Sequence, residues 1–295
     1  MSEFPFSGLN LAITTPFDTH GRIDLGRLEQ NIERYVAAGI RGFVLSSGTG
    51  MHVYLSADES KALVETGARF INGRAKVIVQ TSALLAEDVV ERTRHARDCG
   101  ADGVMVLPPF FEGPTDDQGI IDFYTEAAKG GLPIIGYNVP QAVGVAITPS
   151  LLRELCAIPG FCTVKDSGGD LGKQASLIRT GLPVMNGADH LVAYALYAGC
   201  SGLIWGGANF APRTSLALVE AAASKNWGEV REIWASLEPV MSLLWEGDYV
   251  QSVYAAAELA GYGAGSPRKP LRALPAGKVA VLRQALGALV EREAA

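Results

Sequence analysis

Short apolar runs recur along the 295-residue chain, spaced widely enough for one helix to fit between neighbours. They are rich in Val, Ile and Leu and do not alternate with polar residues, as expected of strands buried on both faces. This pattern predicts strands over 10–17, 42–47, 76–81, 103–108, 133–138, 161–165, 183–186 and 202–206. The intervening stretches carry apolar residues at helical spacing. In the first of them Asp18 to Gly21 reads as a turn, and Asp24 precedes Leu28, Ile32, Tyr35 and Val36 as a helix cap.

One phrase occurs three times. Ala38-Gly-Ile-Arg-Gly42, Cys99-Gly-Ala-Asp-Gly103 and Ala198-Gly-Cys-Ser-Gly202 each end an amphipathic segment on a glycine and begin an apolar run at a second glycine. A repeated helix, Gly-x-x-Gly, strand phrase implies a repeating α/β unit. Eight such strands predict a (β/α)8 TIM barrel over residues 1–225. A doubly wound open sheet is the alternative, but no Gly-x-Gly-x-x-Gly opens a first helix. After residue 211 the pattern is helical throughout, over 212–224, 227–245, 249–261 and 276–292. The first of these completes the barrel, and residues 226–295 form a C-terminal helical extension with Gly261 to Pro275 as an irregular link.

The net charge is −6 with no stripe of Lys and Arg, which argues against nucleic acid as a partner. No apolar run reaches the roughly 18 residues needed to span a membrane, and the first residues lack the pattern of a signal peptide. The expectation is a cytoplasmic protein. The four cysteines, at 99, 156, 162 and 200, are too dispersed for a zinc site or a disulfide framework and read as small buried packing residues.

Barrels of this kind carry chemistry at the C-terminal ends of their strands. Those ends collect Thr14 and Thr15, Ser46-Ser-Gly-Thr-Gly50, Pro108 to Phe111, Tyr137-Asn138, Lys165-Asp166, and Ile204 to Asn209. Of the chain's eight lysines, Lys165 ends an apolar strand whereas Lys76 begins one, on the opposite face. A desolvated lysine gives up its proton readily and becomes a nucleophile, so Lys165 is the candidate; the competing reading is a lysine that merely caps its strand. Ser46 to Gly50 offers hydroxyls and glycine-exposed N–H groups that suit a small carboxylate. A simple strand-to-helix turn would look the same. No Gly-Lys-Ser/Thr follows, so it is not a phosphate-cradling P-loop.

Gly-Thr-Gly at 48–50, Tyr-Asn-Val-Pro at 137–140, Val-Lys-Asp-Ser-Gly-Gly-Asp at 164–170, Gly202-Leu-Ile-x-Gly-Gly-Ala-Asn209 and Pro-Arg-Lys-Pro-Leu271 together resemble the dihydrodipicolinate synthase / N-acetylneuraminate lyase family. The resemblance runs over nearly the whole chain, in order. It implies a homotetramer, built as a dimer of dimers, and class I aldolase chemistry on pyruvate or a related 2-oxo acid with an aldehyde. Lys165 would form the imine and Tyr137 would relay protons. Ser47, Gly48, Thr49 and Gly50 would hold the substrate carboxylate, with Ile204 backbone at the pocket wall. No metal or organic cofactor is implied.

Four positions depart from the synthase pattern. Gly48-Thr49 stands where it has paired threonines, and Met51 where it has a glutamate. Phe111 replaces a tyrosine that a neighbouring subunit contributes to the relay. Ala142 replaces the arginine that grips the second substrate's carboxylate. The expectation is therefore a Schiff-base lyase with a less acidic acceptor. The alternatives are a dehydratase of a 2-oxo-3-deoxy sugar acid, dihydrodipicolinate synthase proper, and a non-catalytic oxo-acid-binding paralogue. Met51, His52, Tyr54, Phe110, Phe111 and Trp205 together suggest an apolar, aromatic mouth, with Phe111 read as interface packing and His52 open as a replacement acid or base. His190 reads as a helix-start residue, His20 and His95 as surface positions, and Trp227, Trp234 and Trp245 as core or interface packing.

Overall fold

The computed structural model describes residues 4–114 and 116–294. Eight parallel strands close into a barrel in sequence order: β1 (Gly8–Ala12), β2 (Gly42–Leu45), β3 (Lys76–Gln80), β4 (Gly103–Val106), β5 (Ile134–Asn138), β6 (Phe161–Asp166), β7 (Val184–Asn186) and β8 (Gly202–Trp205). β8 pairs back onto β1, Gly8 opposite Gly202. The helices between them are α1 (Leu25–Ala38), α2 (Ala57–Ile71), α3 (Ala86–Asp98), α4 (Asp117–Ala127), the short α5 (Pro140–Val143), α6 (Pro149–Leu155), α7 (Leu171–Ile178) and α8 (Val192–Ala198). Then follow α9 (Pro212–Ala223), α10 (Trp227–Trp245), α11 (Tyr249–Leu259) and α12 (Ala276–Ala294).

The repeated glycine phrase has a steric cause at both of its positions. Gly39, Gly100 and Gly199 have φ of +105°, +87° and +91°, a left-handed turn that lets each helix stop and reverse. The second glycine opens β2, β4 or β8 at the floor of the barrel. There a Cβ at Gly103 would lie 2.5 Å from the Phe6 ring, and one at Gly202 would lie 2.7 Å from the Phe6 carbonyl. Phe6 thus plugs the floor, and the lumen above it is filled by Ala12, Val44, Ile78, Met105, Ile135, Met185 and Ile204. A much larger apolar layer, including Leu11, Phe43, Val79, Val104, Val164 and Trp205, lies between strands and helices. Each such side chain contributes about 1.5–3 kcal/mol on burial, which is why both faces of the strands are apolar.

Local signals agree with this packing. Asp24 caps α1 by accepting from the Arg27 N–H, and Ser56 with Glu59 forms a complete capping box at α2. The first strand ends earlier than its apolar run. Thr14 donates its N–H to Asn209 Oδ1 at 3.0 Å instead of to a neighbouring strand, so residues 13–17 leave the ladder as a loop. Near the C-terminus, Arg268 reaches from the irregular link to the Glu59 carboxylate at 2.7 Å and to the carbonyls of Tyr54 and Gly21. That clamp fastens the link to the loop after β2. The cysteines are half-buried rather than buried; Cys162 donates its thiol to the Ile134 carbonyl, and burial pushes that thiol up to about 12. Among the described residues no helix is long and apolar enough to cross a membrane.

Candidate active site

β5 and β6 are paired so that Tyr137 stands directly beside Lys165. Both side chains rise from the lumen wall, and Lys165 Nζ lies 4.2 Å from the centre of the Tyr137 ring. Lys165 is only 6% exposed, and among the described residues it is the only buried lysine or arginine. Its aliphatic stem fits because residue 187 has no side chain: a Cβ there would sit 2.1 Å from Lys165 Cε. A buried amine against an aromatic face is attracted to the ring, yet it keeps its lone pair available whenever it is neutral.

The rim that carries this pair is held by a polar bracket on the outer side of the strands. Asn138 donates to Asp166 Oδ1 at 2.7 Å, and Gln174 donates to Asp166 Oδ2 at 3.2 Å and to Asn186 Oδ1 at 2.9 Å. Burial pushes the Asp166 carboxyl above the usual carboxylate range, opposed by the hydrogen bond from Asn138. The bracket ties the ends of β5, β6 and β7 together, so Asn138 and Asp166 support the rim from behind. Asn209 does the same for β1 and β8, bonding the Ala12 and Gly206 carbonyls at 2.8 Å.

Opposite the lysine lies a group that the sequence pattern did not single out. Asp189 is 1% exposed, accepts the Gly207 N–H on Oδ1 at 2.8 Å, and accepts the Tyr249 hydroxyl on Oδ2 at 3.0 Å. Desolvation lifts its carboxyl to about 6, opposed chiefly by the Tyr249 hydrogen bond and, in part, by the charge of Lys165. Tyr249 comes from α11, outside the barrel, and its hydroxyl and the Thr49 side chain border the same space beside Gly206. It reaches inward only because residue 206 is glycine, where a Cβ would stand 2.0 Å from the Tyr249 oxygen and 3.3 Å from Thr49 Oγ1. Nothing in the local pattern around Tyr249 marks it, and at this turn it is the adjacent His190 that reads in sequence as a helix-start residue.

The loop after β2 folds back on itself. Gly50 donates its N–H to Ser47 Oγ at 3.2 Å, its carbonyl accepts from Thr15, and a Cβ on it would crowd the Ile13 carbonyl at 3.1 Å. By contrast, among the described residues the N–H groups of Gly48 and Thr49 enter no hydrogen bond. A Cβ at Gly48 would lie 4.0 Å from the Tyr137 hydroxyl, so this end of the loop abuts the Lys165–Tyr137 pair. Ile204 lies lower, with its side chain in the lumen cluster.

The expected aromatic mouth is not what forms. Trp205 points outward into the layer beneath the helices, and Met51 packs with Phe17, Tyr254 and Ala264 under the Arg268 clamp. Phe111 is 70% exposed. The groups near the lysine are instead Tyr137 and Asp189, with Tyr249 bonded to Asp189 and Thr49 beside Gly206. His52 meets Gln80 at 3.0 Å, and burial, with a smaller effect of the Arg92 charge, pulls its imidazole down to about 4. His190 packs against Trp245 in a tilted pair with ring centres 4.2 Å apart, and Trp245 also covers Gly169. Trp245, 40% exposed, is therefore a cover on the loops after β6 and β7, whereas Trp234 is buried. Among the described residues no three His, Cys, Asp or Glu side chains converge as a metal site requires.

Comparison with known proteins places these features in context. A model described as the dihydrodipicolinate synthetase family matches residues 5–289. The 4-hydroxy-tetrahydrodipicolinate synthase of Methanospirillum hungatei is 35% identical over 272 residues, covering 90% of this chain and 93% of that protein. The structure of the 4-hydroxy-tetrahydrodipicolinate synthase from Methylacidiphilum fumariolicum superimposes with a TM-score of 0.91 at 26% identity, covering 97% of this chain and 96% of that one. The chloride-inhibited dihydrodipicolinate synthase from Acinetobacter baumannii, solved with pyruvate, gives a TM-score of 0.89 at 27% identity over 96% and 98% of the two chains.

Proposed function

The chain belongs to the dihydrodipicolinate synthetase family, whose members are class I Schiff-base lyases and synthases, and from that premise we propose a lyase that holds pyruvate or a close 2-oxo acid as an imine on Lys165. The observation that carries this reading is the buried Lys165 amine set 4.2 Å above the Tyr137 ring, in space that Gly187 leaves open. The amine lone pair adds to the ketone carbon, and the displaced carbonyl electrons take a proton from Tyr137. Loss of water then gives the imine, an electron sink that lets the neighbouring carbon act as an enamine. The unused N–H groups of Gly48 and Thr49 receive the substrate carboxylate.

The second substrate is a polar, uncharged aldehyde. Ala142 has no cation to offer a second carboxylate, and no arginine or further lysine is buried among the described residues. With Met51 and Trp205 turned away, the walls near the amine carry hydroxyls and one carboxyl, which suit a hydroxylated chain better than an aromatic ring. The working assembly in this reading is a homotetramer; exposed Val53, Leu84, Leu85 and Phe111 on the loops after β2, β3 and β4 support self-association at that end.

Borohydride reduction with pyruvate, followed by peptide mass spectrometry, tests the imine. A reduced pyruvyl group on Lys165, absent from Lys165→Met, is expected. Absence of an adduct in the wild type, under conditions that label a known class I aldolase, would refute it. An aldehyde screen then tests the acceptor. Condensation with aspartate semialdehyde outpacing every uncharged hydroxyaldehyde would overturn the second part.

A further inference from the structure

Imine chemistry moves a proton at nearly every step, and the groups that handle those protons must connect to a donor or acceptor of last resort. In the resembling family one member of that connection is a tyrosine from a neighbouring subunit, and here Phe111 has no hydroxyl to offer. The structure supplies a different string. Thr49 follows Gly48, where a Cβ would lie 4.0 Å from the Tyr137 hydroxyl; Thr49 Oγ1 and the Tyr249 oxygen both border the space beside Gly206; and Tyr249 donates to the buried Asp189 carboxyl at 3.0 Å. All four groups belong to one chain, drawn from β5, the loop after β2, α11 and the turn after β7.

We propose that Thr49, Tyr249 and Asp189 form the proton path serving Tyr137, so that each subunit contains a complete relay; this rests on the imine reading above. When Lys165 adds its lone pair to the ketone carbon, the carbonyl π pair moves to oxygen and takes the Tyr137 proton. Tyr137 recovers one from Thr49, Thr49 from Tyr249, and Tyr249 from the Asp189 carboxyl. When the imine loses its C3 proton, the C–H pair becomes the enamine double bond and the C=N π pair settles on nitrogen. The Tyr137 oxygen accepts that proton as its own passes outward, ending on the Asp189 carboxylate. Nothing is oxidised or reduced. A carboxyl that ionises near 6 is suited to both directions near neutrality, since neither form is strongly disfavoured.

Two contacts of the fold make sense in this light. Gly206 clears the space for the Tyr249 oxygen, and the Gly207 N–H holds the other carboxyl oxygen so that Oδ2 faces the tyrosine. Tyr249 is thus a relay residue reaching the barrel from a C-terminal helix, and Asp189 is its terminus.

The test separates imine formation from proton transfer. Wild type, Tyr249→Phe, Asp189→Asn and Phe111→Tyr are incubated with pyruvate in D2O. Equilibrium adduct on Lys165 is read by borohydride trapping, and deuterium entry into the pyruvate methyl group by NMR. The expected result is an adduct in all four, with exchange slowed on the order of a hundredfold in Tyr249→Phe. Asp189→Asn should lose the acidic limb of the exchange rate against pH, and Phe111→Tyr should remain within about twofold of wild type. Tyr249→Phe exchanging at the wild-type rate, or Asp189→Asn keeping the acidic limb, overturns the relay while leaving the imine intact. No adduct in the wild type overturns both.

Discussion

Replacing Gly187 by alanine should separate the fold of this protein from its chemistry. The new Cβ would lie 2.1 Å from Lys165 Cε, 2.9 Å from Lys165 Cγ and 2.3 Å from Ser167 Oγ. Ordinary carbon–carbon contacts lie at about 3.5–4.0 Å, so the lysine stem must withdraw by roughly 1.5 Å. The Ser167 hydroxyl is buried without a hydrogen-bond partner and can turn away without breaking one. The displacement therefore falls on a flexible side chain and not on backbone. Overpacking of this kind costs about 1–3 kcal/mol, which a barrel of this size survives. A misplacement of about 1 Å at the reacting group, however, costs on the order of a hundredfold in rate. Urea unfolding should show a lower midpoint with an unchanged slope, and the rate of pyruvate-dependent borohydride trapping should fall at least a hundredfold. A folded variant that traps pyruvate at the wild-type rate would refute the claim that Gly187 makes room for the amine.

Two further outcomes follow from charge and capping. The Asp189 carboxyl ionises near 6 in the fold against 3.8 unfolded, so between those values the native state binds more protons and stability falls as pH rises. The difference is worth roughly 3 kcal/mol. His52, lowered to about 4 by burial, has the opposite sign: the unfolded state binds more protons, so its effect on stability weakens the fold as pH falls from 6.5. The stability of Asp189→Asn relative to wild type should therefore rise between about pH 4 and 6 and level off above, measured by urea melts across pH; a flat difference would refute the assignment. Ser56→Ala removes one half of the capping box at α2, where Glu59 also receives the Ser56 N–H. It should cost about 1 kcal/mol in thermal unfolding, with no change in pyruvate trapping.

The strands were legible because a parallel barrel buries both faces of its sheet, and chain that must be apolar on both sides announces itself as an unbroken run. The helix ends were legible too, since Gly39, Gly100 and Gly199 occupy turns that other residues adopt only with strain. Lys165 and Tyr137 could be placed on one rim from the ends of their runs alone. The same property that revealed the strands hid the direction of their side chains. In a strand with no polar alternation nothing in the sequence distinguishes lumen from outer layer, so Trp205 read as a mouth residue and proved to lie beneath the helices. Met51 was lost in the same way, since a loop residue's burial depends on what folds over it, here Phe17, Tyr254 and the link at Ala264.

Sequence by itself determined the barrel, the order of its elements and the lysine–tyrosine pair, because each rests on local period or on a strand end. Only the tertiary structure decided what faces that pair. Tyr249 and Asp189 are 60 residues apart and meet at 3.0 Å across a gap that Gly206 leaves open. No local rule connects a tyrosine on a C-terminal helix with a carboxyl beside a barrel strand. Closure of the sheet brings the strand ends to one rim, the last helices settle against that rim, and the desolvation there shifts the Asp189 carboxyl.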